Sequence, residues 1–157
     1  MKTTKLFLAS CLAYLLFVSC KEWEVPAALI GKWESKQEVK VRTKEKGEYV
    51  FINAPDSIQL QFSIDELGNV SGHLGNAVFE NCKVQKNRGD LGKALNLATD
   101  YVIKGELKGA IFLNDPYATK KISAPFDIKN NKMEGSFFQM FGLDLYPVMG
   151  MDASKKE

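Results

Sequence analysis

Histidine, arginine and cysteine are all scarce in this chain of 157 residues, and each scarcity removes a class of chemistry. Of the three cysteines, Cys11 and Cys20 belong to the apolar N-terminal stretch, which reads as a leader, and to its junction. That leaves one histidine, His73, and one thiol, Cys82, too few for a structural zinc site, which wants four N/S ligands, or for a catalytic one, which wants three. No metal is expected, and no cofactor: no phosphate loop, zinc-finger spacing or Ser/His/Asp order occurs. The only arginines are Arg42 and Arg88. The longest uncharged apolar stretch has fourteen residues, Leu6 to Ser19, too few for the roughly 20 that cross a bilayer as a helix.

What is present begins with an address. Lys2 and Lys5 form a short positive segment, followed by the apolar run and then by the charged Lys21-Glu22. That is the pattern of a cleaved signal peptide over residues 1–19. Leu16-Phe17-Val18-Ser19-Cys20 resembles the lipobox of bacterial lipoproteins, in which the cysteine thiol is acylated and becomes the new N-terminus. Phe17 departs from the usual leucine. The upstream match Leu8-Ala9-Ser10-Cys11 would leave about five apolar residues before cleavage, fewer than the usual 7–15. Cys20 is the expected site of lipid attachment, with palmitate among the acyl chains, and the bilayer the expected partner. Lys21-Glu22-Trp23-Glu24 resembles the acidic export signal of surface lipoproteins in Bacteroidota-type bacteria. The resemblance implies an outer-membrane lipoprotein facing outward, with a periplasm-facing orientation left open. Residues 20–28 form the tether.

Without the leader the chain carries nineteen basic and nineteen acidic residues, interspersed. A net-neutral domain with its charges interspersed offers nothing to attract nucleic acid or an anionic membrane surface. Cys82 is then the sole thiol of the folded domain, so no internal disulfide can form. Val78-Phe-Glu-Asn-Cys82-Lys-Val84 reads as a strand on which Cys82 shares a face with Val78 and Val84, buried as a small hydrophobe. A nucleophilic role would require His73 to approach it in space.

The body of the chain alternates apolar and polar residues with a period of two. Ile58, Leu60, Phe62 and Ile64 give the clearest run. The period recurs at Val39/Val41, at Tyr101/Ile103 running on to Leu107, at Ile122/Ala124/Phe126/Ile128, and at Met133 and Phe137 across Gly135. Turn signals at Lys44–Gly47, Asn53–Asp56, Asp65–Asn69, Asn114–Pro116 and Asn130-Asn131 separate these runs every 8–15 residues. The fold class is all-β: an antiparallel up-and-down barrel of about eight to ten strands, which satisfies every strand on both sides, or alternatively a β-sandwich. Asp90–Thr99, with Leu91/Leu95 and Ala94/Ala98 four apart, suggests one short helical segment. The barrel is expected over residues 29–151 and a polar tail over 152–157. Phe137–Met151 is rich in Phe and Met and reads either as closing core strands or as a ligand-facing rim.

Two motifs carry a family resemblance. Pro26–Ile30 followed by Gly31-x-Trp33 resembles the opening of the lipocalins, and Thr99-Asp100-Tyr101 resembles their second motif. The chain is thus similar to a lipocalin-like, calycin-type bacterial lipoprotein. The resemblance implies that a short turn and Trp33 plug one end of the barrel, and that the interior is a cup for a small hydrophobic ligand. An arginine usually stacks on that tryptophan; Lys120 or Lys121 is expected in its place. The alternating residues Phe62, Tyr101, Phe126 and Phe137 are the candidate cup lining. No residue is assigned to catalysis. The alternative to a ligand cup is a non-enzymatic interaction module, an inhibitor or accessory subunit of an envelope complex.

Overall fold

A computed structural model describes residues 23–88, 99–115, 119–141 and 144–156. Ten strands run in chain order: β1 (Gly31–Gln37), β2 (Lys40–Glu45), β3 (Glu48–Asn53), β4 (Ile58–Ile64), β5 (Asn69–Leu74), β6 (Ala77–Lys86), β7 (Tyr101–Lys108), β8 (Thr119–Lys129), β9 (Lys132–Phe141) and β10 (Asp144–Lys156). Eight of them close into a barrel in the order β1-β10-β9-β8-β7-β6-β5-β4, and β2 and β3 form a separate two-stranded sheet. Every pairing is antiparallel. This is an all-β, up-and-down barrel of the calycin-like kind, and a sandwich is excluded by the pairing of the first strand with the last.

The period-two runs explain the barrel wall. In β4, Leu60, Phe62 and Ile64 are buried while Gln59, Gln61 and Ser63 keep contact with solvent. Ile122, Ala124 and Phe126 of β8 are buried as well, beside the buried Met133 and Phe137 of β9, but there Ser123 and Pro125 between them are also covered. The hairpin turns follow their residues: Asn130 and Asn131 hold φ of 52° and 59°, the two consecutive left-handed positions that a tight turn between twisted strands requires. At the β4–β5 turn Asp65 accepts hydrogen bonds from the Asn69 side chain (2.8 Å) and from the backbone N–H groups of Asn69 (2.8 Å) and Leu67 (2.9 Å). These bonds, the Asn69 side chain's foremost, hold the Asp65 carboxyl below its ordinary range.

Three expectations are corrected. Of the tail expected over residues 152–157, Asp152–Lys156 is strand: β10 runs through Lys156, and Lys32↔Lys156, Trp33↔Lys155 and Glu34↔Ser154 are the pairs that shut the barrel. Ala153 is the one apolar residue among Asp152–Lys156, and it is fully buried, so a single inward side chain suffices to seat the strand. Val78 does not share a face with Cys82. The β6–β7 register shifts between Glu80 and Lys83, and Asn81 adopts a φ of 51°, so the extra residue of a bulge turns Cys82 and Val84 inward and leaves Val78 53% exposed. Val39 and Val41 flank and enter β2, which lies outside the closed sheet. The β2–β3 hairpin links β1 to β4 in the chain, touches β10, and packs Val39 and Val41 onto the core. The helical segment expected at Asp90–Thr99 lies, apart from Thr99, outside the described residues, as do the leader and Cys20.

Candidate functional site

One end of the barrel is a floor. Pro26 to Leu29 make a single turn, closed by the Leu29 N–H donating to the Pro26 carbonyl at 2.8 Å, and Leu29 is fully buried. Trp33 stands behind it with no exposed surface, its indole N–H donating to the Leu29 carbonyl at 2.9 Å. Lys155 completes the set. Its ammonium lies 5.8 Å from the Trp33 ring centroid and donates to the Ala28 and Ala27 carbonyls at 3.2 and 3.5 Å. The cation is therefore Lys155, not Lys120 or Lys121, because only the residue paired with Trp33 across β1 and β10 reaches the ring. Gly31 has a φ of 133°, which favours glycine, and a Cβ there would displace the Lys155 side chain, whose Cε it would meet at 2.8 Å.

Thr99, Asp100 and Tyr101 reach the same end. Asn87 donates its side-chain amide N–H to the Thr99 hydroxyl (2.8 Å), and the Asp100 N–H donates to the Asp127 carboxylate (2.6 Å), which ties β7 to the end of β8. The Tyr101 ring lies between Phe126 (5.6 Å between centroids) and Trp23 (6.5 Å).

The middle of the barrel is filled with rings. Phe79 lies 5.9 Å from Phe62 and 6.1 Å from Phe137, centroid to centroid. The structure thus places the four candidate lining residues inside but in two groups, Phe62 with Phe137 through Phe79, and Tyr101 with Phe126 at the floor. Phe79 was not anticipated, since the bulge after it obscures the alternation of its strand. Gly72, opposite Phe62, gives the rings room: its φ is 144°, and a Cβ would come 2.9 Å from that of Phe62.

Toward the mouth the interior turns polar. Lys120 at the start of β8 points inward beside Leu107 and makes an ion pair with Asp115, both side chains with zero exposure. Asp115 also accepts the Ile111 N–H at 2.7 Å, while its own N–H donates to the Phe112 carbonyl at 2.9 Å. The β7–β8 connection is thereby folded into the barrel end, with Ile111 and Phe112 joined to the core. Burial pushes Lys120 below its ordinary value, and the hydrogen bond and charge of Asp115 oppose that shift. Two residues mouthward of Phe137, Gln139 is 2% exposed, and its side-chain carbonyl oxygen has no hydrogen-bond partner. Gln139 lies opposite Ile122 on β8, so it is a diagonal neighbour of Lys120. None of Asp115, Lys120 as an interior residue, or Gln139 was foreseen. The usable signal was parity: Gln139 continues the inward series Met133, Gly135, Phe137, and Lys120 precedes Ile122 by two.

Cys82 is buried in the wall, and its Sγ–H reaches the carbonyls of Glu106 (3.3 Å) and Glu80 (3.4 Å). Burial raises its pKa, so the thiol stays protonated. His73 pairs with the exposed Val78 and faces out, on the opposite side of the wall from Cys82, so the two do not meet. Among the described residues no cluster of three or more His, Cys, Asp or Glu side chains could hold a metal ion. Comparison with protein-family models, with curated proteins and with solved structures finds no match.

Proposed function

We propose that this chain is a lipoprotein anchored in the bacterial outer membrane through acylated Cys20, facing outward, whose lipocalin-like barrel binds a small amphipathic molecule and performs no catalysis. The observation that carries the binding reading is the orphaned Gln139 oxygen. A buried carbonyl without a donor costs about 1–3 kcal/mol, so its retention on an otherwise apolar strand face has a reason if a ligand supplies the donor. Phe62, Phe79 and Phe137 form the apolar bed beneath it, and Lys120 and Asp115 flank it as a neutralised pair. A ligand that fits carries an apolar body and a neutral head with an O–H or N–H to give, such as an alcohol or an amide. A free carboxylate would face the Gln139 oxygen and the Asp115 carboxylate together.

Native mass spectrometry of the protein extracted gently from membranes is expected to show a bound amphiphile. Gln139→Leu is expected to weaken capture of long-chain alcohols or amides about ten-fold, the equivalent of one hydrogen bond of roughly 1.4 kcal/mol. A Gln139→Leu protein that is more stable and binds unchanged, or a wild-type protein that carries nothing and captures no such compound, refutes the reading.

One observation favours the alternative of an interaction module. The β2–β3 hairpin stands outside the barrel with Tyr49 57% and Phe51 48% exposed, and the Arg42 guanidinium lies 3.5 Å above the Tyr49 ring. Aromatic side chains beside arginine are the composition of protein-binding hot spots. Co-purification of an envelope protein that is lost in Tyr49→Ser/Phe51→Ser would support it.

A further inference from the structure

We infer that the barrel stands floor-down on the phospholipid surface, with its mouth turned away from the membrane. The inference rests on the lipid attachment proposed above and on the position of Trp23 in the barrel. Trp23 is already part of the floor: it packs against the core and lies 6.5 Å from the Tyr101 ring. Only three residue steps separate it from Cys20, and three extended residues span at most roughly 11 Å.

The barrel is much deeper than that reach. β10 alone has 13 residues, and at about 3.3 Å per residue and a strand tilt near 40° it rises roughly 30 Å from floor to mouth. Turning the mouth to the bilayer would lift Trp23 by that depth, several times what the tether allows. Orientation is thus set by the length of the leash.

The floor has suitable chemistry for this neighbour. The β4–β5 turn presents Leu67, 78% exposed, and the β8–β9 turn presents Asn130, Asn131 and Lys132 around a shallow depression shared with Lys155 and Lys156. A leucine at a turn tip suits the interface and the Lys132 ammonium suits the phosphate oxygens of headgroups, while Lys155 is held by the Ala27 and Ala28 carbonyls and Lys156 by Glu34 at 3.1 Å. Asp65 and Glu66 at the neighbouring turn temper the positive charge, so attraction assists the tether and does not replace it.

The test uses the full lipidated chain in phosphatidylethanolamine/phosphatidylglycerol nanodiscs bearing a headgroup-attached acceptor dye. A donor dye is placed on Lys132→Cys at the floor or on Leu113→Cys at the mouth, where the native residue is 94% exposed. Buried Cys82 takes no label in the unsubstituted control. Energy transfer several-fold stronger from the floor site is expected. Equal or reversed transfer, with mass spectrometry finding Cys20 acylated, overturns the orientation alone. An unacylated Cys20 overturns the anchor and the orientation together. Should either cysteine variant fail to fold, the native tryptophans suffice, because Trp23 and Trp33 are the only two in the chain and both belong to the floor. Headgroup spin labels are then expected to quench their emission, and undiminished emission counts against the inference.

Discussion

Removing one member of the Asp115–Lys120 pair without the other is expected to damage the barrel more than any surface substitution would. Both side chains are withdrawn from water, so Asp115→Asn or Lys120→Met leaves its partner as a buried charge without its counter-ion. Breaking such a pair costs about 3–5 kcal/mol, which for a domain of this size lowers Tm by roughly 10–20 °C. Replacing both, as Asp115→Leu/Lys120→Met, removes the charges together and recovers most of that loss, leaving the cost of the Ile111 N–H that Asp115 accepts, about 1–3 kcal/mol. Urea unfolding of the wild type, both singles and the double closes a thermodynamic cycle, and the coupling should exceed about 1 kcal/mol. The pair also predicts a pH dependence of definite sign. Because Lys120 is held below 10.5 in the folded protein, the unfolded chain binds its proton more tightly. Wild-type stability therefore rises, relative to the double variant, as pH climbs through the lowered value toward 10.5, by up to about 1.4 kcal/mol per pH unit. Single variants within about 0.5 kcal/mol of wild type, or a relative stability that falls over that window, would show the reasoning to be wrong.

Three further outcomes are expected. Cys82 should ignore a thiol reagent such as DTNB in the folded protein and react at once in guanidinium, since burial keeps it protonated and covered; prompt reaction of the native protein contradicts this. Gly72→Ala should cost about 2–3 kcal/mol by chemical denaturation, because the new Cβ meets the Phe62 backbone and the φ of 144° suits only glycine; a neutral result would mean that β4 and β5 separate easily. Lys155→Met should lose about 1–2 kcal/mol while Lys155→Arg keeps or raises stability, because a planar guanidinium both stacks on Trp33 and reaches the Ala27 and Ala28 carbonyls; equal stability of all three proteins would remove Lys155 from the floor.

Much of the wall was legible because burial on one side writes a period of two into the chain, as in Ile58–Ile64; Ile122–Ile128 alternates in residue type in the same way, although Ser123 and Pro125 are buried too. The floor was legible through Gly31-x-Trp33, whose residue types have few alternatives there. The closing strand was not. Asp152–Lys156 reads as a polar end because it needs only Ala153 inside, while Lys155 faces a tryptophan rather than an aliphatic layer. Alternation also says nothing about membership, so Val39 and Val41 looked like barrel residues although their strand leaves it. The bulge at Asn81 shifted parity within β6, which no count of two can register. The mouth was hidden for another reason: Lys120 and Asp115 are residue types that normally seek water, and their burial follows from contacts made only in the fold, with each other and with the backbone of Gly109 and Ile111.

The separate β2–β3 hairpin has a consequence for self-association. A closed sheet offers no backbone for another chain to pair with, and among the described residues β2 and β3 are the strands outside it. Any augmentation by a foreign or sister strand must therefore use this arm. Lys40, Glu45, Lys46 and Glu48, all exposed, put charges of both signs along and around it, the usual guard of an open edge. Among the described residues the open edges thus lie within a dozen residues, and neutralising those charges would make stacking through a shared ladder easier.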